Sequence, residues 1–319
     1  MNFAKIIAPV LFGAALAVSG AAQAQVNVML PAGPGGGWDS TGRQAFQAMN
    51  DAGIYTGGVN FTNTGGAGGT IGLAEFLGTS TGQPDALAVF GAITVGSIEL
   101  NDSPINLADF RPVARLTAEY LVVAVAADSP YNTLEDLVTA LADNPGANPL
   151  GGGSAGGVDH IAFALLAQEA GIDVPELNYI PQTSGAETVT AIVNGTLTAG
   201  ISGTSEFNQF AEQGRIKILG VTSADRRPDL PDVPTFAEAG YDVELANWRG
   251  ILAAPDAPED NYRMWIDRFV ELSESDAWAN VLEQQGWDDF FLAGDDFGTF
   301  IAEEVEVQGQ ILRDAGLVD

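Results

Sequence analysis

Three glycine-rich runs are the residues of this chain best suited to chemistry: Pro31-Ala32-Gly33-Pro34-Gly35-Gly36-Gly37-Trp38, Thr64-Gly65-Gly66-Ala67-Gly68-Gly69-Thr70 and Gly151-Gly152-Gly153-Ser154-Ala155-Gly156-Gly157. Each follows a short apolar stretch and precedes a helix-like one. A helix N-terminus leaves backbone N–H groups without intrahelical partners, and its macrodipole amounts to roughly +0.5 charge. Glycine lets a ligand approach those groups closely. The chemistry this suits is capture of an anionic oxygen rather than its conversion. Two or three such termini converging on one point supply about +1 to +1.5 charge, comparable with one or two carboxylates.

Two catalytic motifs overlap the third run. Gly151-x-Gly153-x-x-Gly156 has the dinucleotide spacing, with Asp173 near the distance expected of a ribose contact, but it sits mid-chain instead of opening the first strand–helix unit. Gly152-x-Ser154-x-Gly156 matches the nucleophile elbow of α/β-hydrolases. Its only possible histidine base, His160, lies six residues on along the same emerging helix, where it does not come over Ser154 as a loop-borne histidine would. A first-turn hydrogen-bonding role suits His160 better. Lys5 and Lys217 are the only lysines, so no phosphate-hydrolysing P-loop is present. Arg43 is four residues after Asp39 and is placed for a helix-surface ion pair, while Asp39 itself reads as a cap. Arg249 reads as a residue of a domain junction, and Trp38 as either a roof over the ligand or a filler of its loop.

Composition narrows the choice further. With 42 acidic residues against 12 basic ones, the formal net charge is −30, which disfavours nucleic acid and basic membrane-surface binding. Distant acids do not bar an anionic ligand, because screening at physiological salt acts over ~8 Å while helix ends act at contact. The absence of cysteine removes disulfides, thiolate metal sites and cysteine nucleophiles, and a single histidine leaves little metal chemistry. Residues 1–24 read as a leader, with Lys5, an apolar run over 6–18 and a small-x-small site Ala22-Gln23-Ala24, which predicts export and cleavage after Ala24.

The elements that must hold the loops alternate. Val26, Val28 and Leu30 form a strand, Phe46 and Met49 mark the helix after the first run, and Gly53 stops it. Apolar runs over 86–90 and 120–127 read as buried strands, and Thr133 with Glu135 and Asp136 opens a helix. Further strands over 177–180, 199–202 and 216–221, with a helix over 186–193, complete an α/β pattern with mainly parallel sheets. From Pro258 the chain turns helical, with Tyr262, Trp265, Ile266 and Phe269 on one face. At 319 residues, two domains fit.

In its motifs the sequence resembles the solute receptors of tripartite tricarboxylate transporters. The three glycine runs, the first extended by Asp39, the second by Ile71-Gly72 and the third by Val158-Asp159-His160, carry the likeness. So do Val221-Thr222-Ser223-Ala224-Asp225-Arg226-Arg227, Leu230-Pro231-Asp232-Val233-Pro234-Thr235, Ala246-Asn247-Trp248-Arg249-Gly250 and Arg313-Asp314-Ala315-Gly316. The likeness implies a two-domain periplasmic-binding-protein type II (Venus-flytrap) fold, a ligand carboxylate held by backbone amides and water, and large and small integral membrane subunits driven by an ion gradient. The Trp38-Asp39 and Asn247-Trp248-Arg249-Gly250 forms look closest to the tricarboxylate branch, with citrate as its example.

The expectation is therefore a monomeric periplasmic binding protein, not an enzyme, needing no cofactor or metal. Its domain 1 spans 25–122 plus 248–319 and its domain 2 spans 123–247, so that the third glycine run faces the first two across a cleft. The expected ligand contacts are Gly35, Gly36, Gly37, Trp38, Asp39, Gly66, Ala67, Gly68, Ser154, Ala155, Gly156, Gly157, Thr204 and Ser205. A sensory carboxylate receptor without transport is the nearer alternative, and an exported hydrolase using Ser154 the more distant one.

Overall fold

A computed structural model describes residues 25–318; the expected leader, residues 1–24, lies outside them. The chain runs β1 (Val26–Leu30), α1 (Gly37–Asp51), β2 (Val59–Asn63), α2 (Thr70–Ser80), β3 (Ala86–Gly91), α3 (Ala92–Leu100) and β4 (Arg111–Ala118). Next come β5 (Leu121–Ala126), α4 (Leu134–Asp143), β6 (Leu150–Gly152), α5 (Val158–Glu169), β7 (Tyr179–Pro181), α6 (Gly185–Val193), β8 (Ala199–Gly203), α7 (Thr204–Glu212) and β9 (Ile216–Val221). It closes with β10 (Arg249–Ala253), α8 (Glu259–Ser273), α9 (Asp276–Gln285), β11 (Asp288–Ala293) and α10 (Gly294–Asp314).

These strands build two sheets, ordered β11-β4-β10-β3-β1-β2 and β7-β6-β8-β5-β9. The first lobe forms around one and the second around the other. The chain crosses between them twice, at Glu119–Tyr120 and at Ala246–Trp248. There Glu119 and Asn247 exchange backbone hydrogen bonds of 3.2 and 2.8 Å, and Tyr120 bridges Ala246. The first crossing precedes Val122, which already lies within β5 of the second sheet.

The sheets are mixed, where the alternating pattern predicts mainly parallel ones. Strands β1, β2 and β3 are parallel, as are β6, β7 and β8, but β10 is antiparallel to β3 and β4, and β5 to β8 and β9. The reason is the double crossing. Strands of the βα units run toward the space between the lobes, whereas β5 and β10 each enter a lobe from that side and so run away from it. The edge strand β11, antiparallel to β4, carries the sequence DDFFLA, which lacks the alternation that marks a strand.

Local chemistry explains the helices that hold the site. In α1, Phe46 and Met49 face inward, and Phe46 meets Trp265 and Phe269 of α8 edge-on at 5.9 and 6.2 Å. The helix ends at a left-handed glycine, Gly53. Thr133 and Asp136 form a reciprocal capping box at the start of α4. No helix among the described residues is long and apolar enough to cross a membrane.

Candidate functional site

Between the lobes lies a cleft of about 730 Å³. The first lobe contributes the loop 31–38, the loop 65–69 and Ile93; the second contributes Gly153, Ser154, Asp159, residues 181–185, Ser202, Gly203 and Glu206; Glu119, Asn247 and Arg249 come from the crossings.

The first glycine run places its helix end at this cleft. Gly36 is the N-cap of α1 with an extended backbone, and no side chain caps it. The N–H groups of Gly37 and Trp38, in the first turn, have no intrahelical acceptor by helix geometry. Gly36 is different, because its N–H donates to Gly33 O at 3.1 Å. Gly35, at φ 83°, gives its N–H to Asp39 Oδ2 at 2.9 Å. Asp39 is not a cleft residue. Its other oxygen accepts from Arg43 Nε and Asn63 Nδ2, both at 2.8 Å, so the carboxylate ties the loop to its own helix and to β2. Burial works against that charge, but the Gly35, Asn63 and Arg43 donors overcome it and hold the carboxyl below its ordinary range.

In the second run Gly66, Ala67, Gly68 and Gly69 all have positive φ, and all four line the cleft. A side chain at Gly69 would sit 2.6 Å from the Trp38 ring, so Trp38 both lines the cleft and packs against this loop.

Of the third run, only Gly153 and Ser154 reach the cleft. Ala155, Gly156 and Gly157 do not line it. Gly156, at φ 73°, gives its N–H to His160 Nδ1 at 3.1 Å, and a Cβ there would lie 2.6 Å from Leu100 Cβ of α3. The Gly157 N–H donates to Ser154 O at 2.9 Å. This part of the loop packs the two lobes together. Thr204 and Ser205 are spent at the crossing: the Thr204 N–H donates to Tyr120 O at 3.1 Å, and Ser205 donates from N (2.8 Å) and Oγ to Glu119 Oε1.

Charged side chains concentrate where the lobes meet. Arg249 Nη2 lies 2.7 Å from Glu119 Oε2, with both residues buried. Glu119 is therefore held by α7 through one oxygen and by β10 through the other. The guanidinium lies against Gly37, where a Cβ would come 2.9 Å from Nη2, and 5.1 Å from the centre of the Trp287 ring. Among the described residues Arg249 is the one cation lining the cleft, against three carboxyl groups, Glu119, Asp159 and Glu206. Glu206 Oε2 accepts from Ser202 Oγ, and Asp159 Oδ2 accepts from the Gly153 N–H at 2.5 Å.

Burial, reinforced by Glu206 and Glu119, pushes the Asp159 carboxyl up to about 7, with the Gly153 amide and Arg249 opposing. This has a consequence for stability. A carboxyl whose pKa is raised by folding favours the folded state while it is protonated; the contribution is complete below its unfolded value, near 4, and is lost as pH climbs to about 7. Asp159→Asn cannot ionise, so its melting temperature should gain on that of wild type across this window and then keep a constant lead. A lead that does not widen between about pH 4 and 7 contradicts the assignment.

His160 fits no catalytic role here. Burial pushes it down to about 4, so it is neutral, and its Nδ1 accepts from Gly156 while its ring stacks on Tyr179 at 4.2 Å. Residues 181–185 have no glycine-run signature. They are a strand-to-helix turn capped by Ser184, whose Oγ accepts from the Glu187 N–H at 3.3 Å, and only that capping pattern marks them in the sequence. Nothing local marks Glu119 at all.

A family model described as "Tripartite tricarboxylate transporter family receptor" matches residues 43–317. Among similar sequences, a protein encoded in the tcbD-tcbE intergenic region of Pseudomonas sp. strain P51 is 29% identical over 81% of this chain and 75% of its own length. Protein BugT of Bordetella pertussis is 25% identical over 91% of this chain and 89% of its own. Among solved structures, the periplasmic binding protein BugD superposes with TM-score 0.80 at 21% identity, covering 92% of this chain and 98% of BugD. Rpa4515 of R. palustris, solved with adipate, gives 0.82 at 21% (92% and 97%). MatC of Rhodopseudomonas palustris, solved with bound malate, gives 0.77 at 20% (90% and 98%). These likenesses establish a two-domain solute-binding fold.

Proposed function

The chain belongs to the tripartite tricarboxylate transporter receptor family, and from that premise we propose that its cleft captures a small carboxylate, with a tricarboxylate such as citrate the favoured ligand. It is a solute-binding receptor, not an enzyme. Membership in the family implies a periplasmic location and work with membrane subunits of a transporter; delivery to a large and a small subunit driven by an ion gradient is the finer part of the proposal. The lobes are taken as the expected 25–122 plus 248–319 and 123–247, except that Leu121 and Val122, in β5, go with the second lobe, and the protein is taken as a monomer.

One observation carries the reading: the uncapped N-terminus of α1, with the Gly37 and Trp38 amides, opens beside Arg249, the single cation lining the cleft among the described residues. An amide pair at a dipole end next to a guanidinium suits a carboxylate group. The adipate and malate in the two related structures support a small organic acid of this size. Because these amides and the guanidinium already meet the carboxylate with N–H donors and positive charge, binding needs no divalent metal or nucleotide. Calorimetry in chelator against citrate, malate, adipate and longer acids should show 1:1 binding, accompanied by a smaller radius of gyration in X-ray scattering as the lobes close. Binding that appears only after a divalent cation is restored would overturn the metal-free site.

A further inference from the structure

Three carboxyl groups line the cleft against one cation among the described residues, and that cation, Arg249, is already paired with Glu119. A ligand carboxylate brought into this space meets Asp159 and Glu206 across from the helix end that attracts it. Two carboxylates side by side do not both stay ionised in a desolvated site; one takes a proton and the pair becomes a charge-assisted O–H···O⁻ hydrogen bond.

Asp159 is the group placed to do this. It is buried yet lines the cleft, and its one hydrogen bond among the described residues comes from the Gly153 N–H. Every neighbouring charge bears on it. Glu206 of α7 and Glu119 at the crossing favour its neutral form, and Arg249 of β10 opposes them. Tyr179 of β7, whose hydroxyl donates to Gly153 O, is itself held protonated, and His160 on the same helix is neutral. A second observation points to a polar ligand here. Asn247 lines the same cleft, is 7% exposed, and its buried Oδ1 has no hydrogen-bond partner among the described residues. Such an unpaired acceptor is costly and calls for a donor, which a ligand hydroxyl such as that of citrate or malate would supply.

Resting on the reading of this cleft as a carboxylate site, we propose that Asp159 contacts the ligand as the neutral carboxylic acid, giving its O–H to a ligand carboxylate oxygen, so that capture takes up one proton from solvent. The residue then sets specificity, because it rewards an acceptor oxygen at that end of the ligand.

The test is calorimetry of the full-length mature protein with citrate, malate and adipate in two buffers of different ionisation enthalpy, from about pH 5 to 8.5. After the ligand's own ionisation is subtracted, proton uptake per ligand should be near none at pH 5, about half at pH 7 and close to one above pH 8, following ionisation of the free carboxyl at about 7. Affinity should then fall toward tenfold per pH unit at the alkaline end. Asp159→Asn, which offers an N–H donor at every pH, should lose the uptake and the slope, and so bind more tightly than wild type above about pH 8. A merely structural aspartate predicts neither crossing. Binding heat without proton uptake overturns the Asp159 assignment alone, as does uptake that persists in Asp159→Asn, which would place the proton on Glu206. If no acid of the panel binds, the carboxylate reading fails and this assignment with it. Should Asp159→Asn not fold, the wild-type proton count still decides, since a count that stays at zero or does not rise with pH refutes it.

Discussion

Replacing Arg249 by methionine is expected to abolish measurable carboxylate binding and to cost the apo protein about 3–5 kcal/mol of stability. The first effect follows from its position as the one cation lining the cleft among the described residues, beside the helix end that offers Gly37 and Trp38. The second follows from what is left behind. Glu119 is 1% exposed and keeps only the Ser205 donors on one oxygen, so removing the guanidinium strands a buried charge. The two effects separate in a double variant. Arg249→Met with Glu119→Leu removes both charges at similar volume, and such a replacement is often neutral for stability. Chemical denaturation should therefore show most of the lost stability recovered while calorimetry still shows no binding. A double variant as unstable as Arg249→Met would refute the stranded Glu119 charge as the cause of the loss, and one that binds normally would remove Arg249 from the site.

Valine at Gly37 and at Gly156 should give opposite outcomes, although both glycines lie in runs that read alike. At Gly37 the added carbon pushes on Nη2 of Arg249, and the branched side chain covers the amides at the start of α1. Losing two charge-assisted hydrogen bonds at about 1.5–3 kcal/mol each lowers affinity by a hundredfold or more. The helix, whose core face is on the opposite side, should survive. At Gly156 valine meets a φ of 73° and the Cβ of Leu100, a carbon fixed directly to its own backbone that cannot swing aside. Backbone strain of about 1–3 kcal/mol and overpacking of a similar size lower the melting temperature, while the fraction that folds binds as wild type does. Melting and calorimetry on the same samples distinguish the two. A Gly156→Val protein that melts normally but fails to bind would return that glycine to the ligand site.

The contrast between those two glycines shows what spacing can and cannot tell. Gly35, Gly36, Gly37, Gly66, Ala67, Gly68 and Ser154 all line the cleft, because a βα turn in this fold ends where the sheets point. Ala155 does not line it, and Asp39, Gly156, Gly157, Thr204 and Ser205, which also sit at strand-to-helix turns, give polar groups to their own loops or to the crossing. Which amide of a turn is free depends on acceptors supplied from elsewhere, such as His160 Nδ1 for Gly156, and a one-dimensional pattern does not hold that information.

The sequence by itself determined the strand–helix alternation, the glycine turns at helix starts, the helix opening at Thr133, and the anion-seeking character of the α1 terminus. These are consequences of contacts within a few residues of one another. Only the tertiary structure decided that β5 and β10 run against their neighbours, because direction depends on the side from which a crossing chain enters a lobe. It alone assembled Glu119, Asp159, Glu206 and Arg249, drawn from the first crossing, α5, α7 and β10, into one cleft. Burial and mutual charge change what a carboxyl does, and both arise from neighbours that are far apart in the chain, so Asp159 becomes a group that titrates near neutrality only once the lobes are folded together.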